Sequence, residues 1–308
     1  MSALGELQRL RSRPSASGRR RDNRAAALFL APWFAGLVLI TAGPLVASLV
    51  IGFTDYNLIQ PPTFSGLENF TRMFSDERLH SSLRVTFTYV LVSVPLQLAA
   101  ALGLALLLDR GLRGMSFYRS AFYLPSLLGS SVAIAVLWRQ IFGAEGLVNQ
   151  LLAAFDVPGR SWIADPSTAL GTLIVLNVWT FGAPMIIFLA GLRQIPVLYY
   201  EAAAIDGAGR WRRFRHITLP LLSPIIFFNL VLQVIHAFQS FTQAFVVSGG
   251  TGGPSDSTLF YTLYLYQRGF NNFDMGYASA LAWSLLLIIA AFTAVNFWAA
   301  RFWVFYDD

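Results

Sequence analysis

The chain has 308 residues, of which 56% are apolar and 12% charged; its mean hydropathy is +0.56 and its formal net charge +6. The charged fraction is roughly half the usual one, and a water-soluble chain could not hide so much apolar surface, so the composition calls for lipid as solvent. Cysteine is absent and all 22 basic residues are arginine, which excludes disulfides, thiolate metal sites, cysteine nucleophiles, phosphate-loop lysines and Schiff-base lysines.

Residues 1–24 carry seven arginines among Ser and Pro and read as a disordered basic tail whose charge sets topology, with contact to anionic lipid a second role open to it. A spanning helix needs about 20 mostly apolar residues. Residues 25–54 meet that length; the run is too long for a signal-peptide core and no small-x-small site follows it, so it reads as the first transmembrane helix. Residues 55–82 read as an extracytoplasmic loop. Residues 83–300 read as a five-helix core, with uncharged runs at Val85–Leu108, Ser120–Trp138, Pro166–Leu192, Ile217–Ser255 and Met275–Ala300. The run from Ile217 is longer than a span and ends in the polar SGGTGGPS, which predicts that its helix stops near Val247. Two shorter apolar stretches fall between spans. Gly146–Phe155 reads as a small interfacial helix, and Thr258–Gln267 is expected to lie along the membrane surface. Residues 301–308 form a second short tail. The expected fold class is therefore an all-α membrane protein with six transmembrane helices. Prolines recur inside the spans (Pro32, Pro44, Pro95, Pro125, Pro184, Pro224), where kinks are tolerated if neighbouring helices re-satisfy the freed carbonyls.

Orientation follows the arginines. With six crossings, sixteen of them share one side and six the other, so both termini and the loop 193–218 are expected in the cytoplasm. That loop belongs to a dense polar island, Tyr199–Pro224, reading YYEAAAIDGAGRWRRFRHITLPLLSP. Glu201 to Asp206 is strong helix former, with the acid expected in the first turn where the dipole favours it. Gly207 is a natural helix stop, and Ala208 to His216 can resume as a second short helix. The result is a helix–Gly–helix elbow whose small Ala202, Ala203 and Ala204 let another protein approach closely. It offers no nucleophile, metal cluster or paired carboxylates, so its chemistry is that of docking.

The spacing Glu201-Ala202-Ala203, three residues, Gly207, nine residues, Ile217-Thr218-Leu219-Pro220 resembles the EAA loop of the permease subunits of type I ABC importers. Gly66–Phe74, Tyr118–Pro125 and Gly191–Pro196 are similar to the binding-protein-dependent sugar-transport branch, the maltose, multiple-sugar and glycerol-phosphate type of inner-membrane component. The likeness runs from about Ala27 onward; Leu198 departs from it, standing where that branch often has an acid. The resemblance implies the type I ABC importer permease fold in a bacterial inner membrane. Glu201 to Ala208, with Ala202, Ala203, Asp206, Gly207 and the nearby Arg212, would couple to an ATPase. No cofactor would be bound by this chain, and ATP and Mg would be hydrolysed by partners. Those partners would be two cytoplasmic ABC ATPases, a second homologous permease and an extracytoplasmic solute-binding protein, with lipid around the bundle and no nucleic acid.

Polar side chains inside spans are costly and point to function by default. Asn229, Gln233, His236, Gln239, Thr242 and Gln243 recur in steps of three or four, which predicts one helix face; Asn177, Trp179 and Thr180 come from the fourth span. Amides and aromatic faces suit a neutral polyol such as a sugar. Hydrogen bonding between helices accounts for such a stripe equally well, and His236 by itself reads as a bundle histidine with a partner. An ion-coupled secondary transporter would want intramembrane carboxylates, and an intramembrane enzyme would want an acid or nucleophile beside the histidine; the six runs contain no Asp or Glu.

Overall fold

The computed structural model describes residues 27–110, 114–129 and 131–305. The expected basic tail at 1–24 lies outside them. In chain order, α1 (Ala27–Ile51) leads through a two-stranded ribbon, β1 (Thr54–Asp55) and β2 (Thr63–Phe64), to α2 (Glu68–Arg72) and α3 (Glu77–Leu108). α4 (Met115–Leu127) and α5 (Val132–Ile141) follow, then α6 (Leu147–Ala153), α7 (Pro166–Trp179) and α8 (Gly182–Leu192). α9 (Val197–Ile205) precedes α10 (Arg210–Phe238), α11 (Thr242–Ser248), α12 (Tyr261–Tyr266) and α13 (Met275–Ala300). Four of these helices are long and apolar enough to cross a membrane, and six crossings result if the bent pairs α4–α5 and α7–α8 each count as one.

The helix starts obey local chemistry. Asp76 caps α3 by accepting from the Leu79 N–H at 3.1 Å, Ser131 caps α5 through Ile134 N–H, and Asp165 caps α7 with Pro166 behind it. These are the side chains best suited to take the orphan amides of a first turn. α3 is the central strut, with α7, α8, α10 and α12 packed around it. The core between them is rich in aromatics, among them Phe188, Phe238, Phe260, Tyr261, Tyr264 and Tyr277. α1 packs on α13 near its C-terminal end and leaves Phe29, Trp33, Leu39 and Ile40 outward. Lipid tails are as apolar as leucine, so close packing and interhelical polar contacts, rather than hydrophobic burial, must hold such a bundle.

Four expectations change. α10 stops at Phe238, well short of Val247, and the chain breaks at Gln239–Phe241 before α11. The freed Ser240 carbonyl accepts from Thr262 Oγ1, a side chain 22 positions away. Thr258–Gln267 lies inside the bundle rather than on its surface: Leu259, Phe260, Tyr261, Leu263 and Tyr264 are all buried. Its polar tips find partners there, Tyr261 donating from its hydroxyl to Leu281 O and from its N–H to Thr86 Oγ1. α3 begins at Glu77, inside the stretch 55–82 expected as loop, because Asp76 supplies its cap. Finally, α9 starts at Val197, so Glu201 sits in its second turn and not at the dipole end.

The two ends of the bundle are held differently. At one end Arg72 pairs with Asp274 at 2.8 Å, and Arg78 makes a two-pronged pair with Asp256. Between these, Asp76 accepts from the hydroxyls of Tyr264 and Tyr277 and faces Arg268 at 3.5 Å. Burial alone would push the Asp76 carboxyl up, but the two phenols, the Leu79 N–H and Arg268 outweigh it and hold the carboxyl below its ordinary value. At the other end Arg193 approaches Asp109 at 3.8 Å, so the loops after α3 and α8 meet there.

Candidate functional site: a cavity at three helix breaks

A cavity of about 420 Å³ opens where three interrupted helices meet, within the size range of small-molecule sites. Ser126 comes from the end of α4, Asn177 and Thr180 from the α7–α8 break, and Gln233, His236, Gln239, Thr242 and Gln243 from the α10–α11 break; Gln97 enters from α3. Glycine permits this convergence. A Cβ at Gly182 would lie 1.8 Å from Ser126 Oγ, and one at Gly129 would lie 2.3 Å from Thr180 Cγ2.

The polar side chains divide into two sets. Gln97 is 2% exposed; its amide donates to Thr180 Oγ1 at 2.8 Å and to Thr180 O at 3.3 Å, and its oxygen accepts from Asn177 Nδ2 at 3.3 Å. Gln243 donates to Gly129 O at 3.3 Å. These amides serve carbonyls that the breaks release, as a membrane interior demands. Gln233, His236 and Gln239 make no side-chain hydrogen bond with any described residue and face the cavity. His236, expected to have a partner in the bundle, is instead open to this space.

Five of the seven pathway residues expected from sequence therefore meet: Asn177, Gln233, His236, Gln239 and Thr242. Two do not line the cavity. Asn229 is wholly buried one turn below, its Nδ2 donating to Ile225 O at 3.0 Å and its Oδ1 without a described partner. Trp179 turns towards Trp138, with ring centroids 6.2 Å apart. Sequence reasoning missed Gln97, although a lone amide in the apolar run Val85–Leu108 is a legible signal.

The elbow forms as a helix stop dictates. Gly207 is left-handed at φ +73°, Ala208 N–H reaches Ala203 O at 2.8 Å and Gly207 N–H reaches Ala204 O at 3.1 Å; these are the two bonds that close a helix over a C′ glycine. Glu201, Ala202, Asp206 and Arg212 are exposed and Ala203 and Ala208 half-buried. Ile205 stands 88% exposed at the tip, an apolar group the sequence reading passed over. The helix after the elbow does not start at Ile217: α10 runs unbroken from Arg210 to Phe238, with a π-helical turn at Phe214–Thr218. One helix thus connects elbow and cavity. Its 29 residues span about 40 Å at 1.5 Å each.

The architecture is that of a polytopic α-helical membrane protein with a solute-sized cavity inside the bundle. Residues 85–303 match the family described as the inner membrane component of binding-protein-dependent transport systems, and the chain belongs to that family. It is 51% identical over 291 residues to a probable ABC transporter permease protein, YesP, of Bacillus subtilis (strain 168), covering 94% of each chain. It is 34% identical over 280 residues to the lactose transport system permease protein LacF of Rhizobium radiobacter, covering 89% of this chain and 93% of that one. A bacterial alginate ABC transporter, crystallised with a periplasmic protein holding an alginate pentasaccharide, has a chain of the same fold: TM-score 0.79 at 20% identity, covering 94% of this chain and 98% of that one. The protein is therefore an ABC transporter permease, a multi-pass inner membrane component that is itself non-catalytic, ATP hydrolysis being the work of partner ATPases.

Proposed function

We propose that the chain moves a carbohydrate (a sugar, oligosaccharide or related polyol) inward across the bacterial cell membrane by alternating access. The observation that carries this is the unbroken α10 joining the elbow to the cavity wall. In this reading both termini and the elbow are cytoplasmic, and Glu201 to Ala208, with Ile205 at the tip, dock into one of two ABC ATPases. ATP and Mg bind there, not here. Closure of the ATPases pushes on α9, and α10 tilts and remodels the α10–α11 break. A second homologous permease completes the pathway, and an extracytoplasmic solute-binding protein delivers the solute. That LacF is named for lactose, and that the alginate transporter was crystallised with its periplasmic protein, supports the carbohydrate class and the delivery partner.

The cavity chemistry agrees. Gln233, His236 and Gln239 offer donors and acceptors to hydroxyl groups, and no carboxylate or guanidinium is among the lining residues. An ion-coupled secondary transporter would need such a carboxylate. The test is uptake in cells together with recovery of the ATPase on the purified chain. Glu201→Lys and Gly207→Asp are expected to abolish ATP-dependent uptake and ATPase recovery, whereas Gln233→Ala and Gln239→Ala raise the KM of uptake and leave recovery intact. Uptake that survives the elbow variants and follows a proton gradient would refute the reading.

A further inference from the structure

α10 contains a weak point midway along its length, and the C-terminal segment repairs it. Pro224 has no N–H, so the carbonyl of Pro220, four residues earlier, loses its helical partner. Ser223 Oγ donates to that carbonyl at 2.6 Å. The same Oγ accepts from the backbone N–H of Phe305 at 2.8 Å, so a two-step relay ties the chain's last described residue to the carbonyl that Pro224 leaves without a helical partner. Ser223 is buried, and Trp303 sets its ring against Phe227, 6.1 Å between centroids. Phe305 lines two cavities, of about 380 and 250 Å³. Tyr199 of α9 lines both, and Ala202 lines the larger. α9 is itself bound to the foot of α10 by Tyr200 and Thr218, hydroxyl to hydroxyl at 2.9 Å. The elbow, the Pro224 turn of α10 and the segment after α13 therefore form one assembly.

We propose that Ser223 and the segment Arg301–Phe305 are positioning elements of the drive: they brace α10 at Pro224 so that a push on α9 moves α10 and α13 as one body rather than bending α10 at Pro224. The inference rests on the elbow being the ATPase-docking lever. α10 without this relay at Pro224 would absorb the stroke locally, because an unpartnered carbonyl in an apolar setting seeks another donor and the helix bends to find it.

The chain has no cysteine, which makes spin labelling direct. Nitroxides at Leu198→Cys on α9 and Val295→Cys on α13, both exposed, report their separation in the full transporter with and without ATP and vanadate. The expected result is one narrow distance in each state for the parent. In Ser223→Ala, and in a chain ending after Trp303, the nucleotide-bound distribution broadens to at least twice its parent width, and Ser223→Thr restores it. A thermal unfolding midpoint measured alongside separates a local loosening at Pro224 from a general loss of fold. If the ATPase is recovered on the parent and Ser223→Ala and the truncated chain keep the parent's narrow distribution with nucleotide bound, the relay does not position the lever and the inference fails while the docking reading stands. If the ATPase is not recovered on the purified parent, both fail.

Discussion

The contact between Gly182 and Ser126 gives the sharpest test of how the cavity is built. An alanine at 182 places its Cβ 1.8 Å from Ser126 Oγ, 2.8 Å from Ser126 Cβ and 3.2 Å from the Tyr123 Cα. Rotating the serine relieves only the first contact and breaks its bond to Tyr123 O at 2.9 Å, so α4 and α8 must separate. Alanine favours the helix over glycine by up to about 1 kcal/mol, and overpacking of this kind costs about 1–3 kcal/mol; the net expectation is destabilisation by about 1–2 kcal/mol. Ser126→Gly removes both short contacts and leaves the one at 3.2 Å, which a shift of a few tenths of an ångström accommodates. The double variant should therefore recover most of the loss, with a coupling energy of about 1–2 kcal/mol, inside the range for touching residues. Denaturation of the four proteins in detergent, analysed as a double-mutant cycle, measures it. Gly182→Ala as stable as the parent, or losses that simply add, would refute close approach of the α4–α5 and α7–α8 breaks.

Three further outcomes follow from the geometry. At Gly207 a side chain meets no atom within 4 Å but must adopt φ +73°; Gly207→Val should cost about 1–2 kcal/mol in the left-handed conformation and lower ATPase recovery, while Gly207→Asn, which tolerates that region, keeps most of it. Gln97→Leu strips the Thr180 carbonyl and the Asn177 amide of their partner and should destabilise the bundle by about 1–3 kcal/mol, read as a lowered unfolding midpoint. The Asp76 carboxyl is held below its ordinary value of 3.8, so its contribution to stability is complete above that pH and disappears as pH falls through the lower folded-state value. The unfolding midpoint of the parent should drop in that acidic window, and Asp76→Asn should remove that component of the drop.

Much of the architecture was legible because lipid imposes simple rules. Uncharged runs of sufficient length marked every helix that can span, and the elbow could be read residue by residue because a helix stop needs only Gly207 and two local bonds. The stripe Gln233–His236–Gln239 was legible from its spacing alone. Legibility ended where partners come from far along the chain. Asn229 sits on the same stripe yet is buried one turn below the cavity, and Trp179 turns to Trp138; periodicity gives a face but not what packs against it. Tyr261 and Tyr264 looked interfacial because their tips are polar, and only Leu281, Thr86 and Asp76 made the interior acceptable to them.

The sequence by itself determined a lipid-embedded bundle and a protruding knuckle, since hydropathy, charge bias and a glycine stop act over a few neighbouring residues. The tertiary structure alone decided where the helices break and hence where the cavity lies. In a membrane interior a carbonyl can leave its helix only if another donor waits for it. Here those donors, Gln97 for Thr180, Gln243 for Gly129 and Thr262 for Ser240, stand 83, 114 and 22 positions away along the chain.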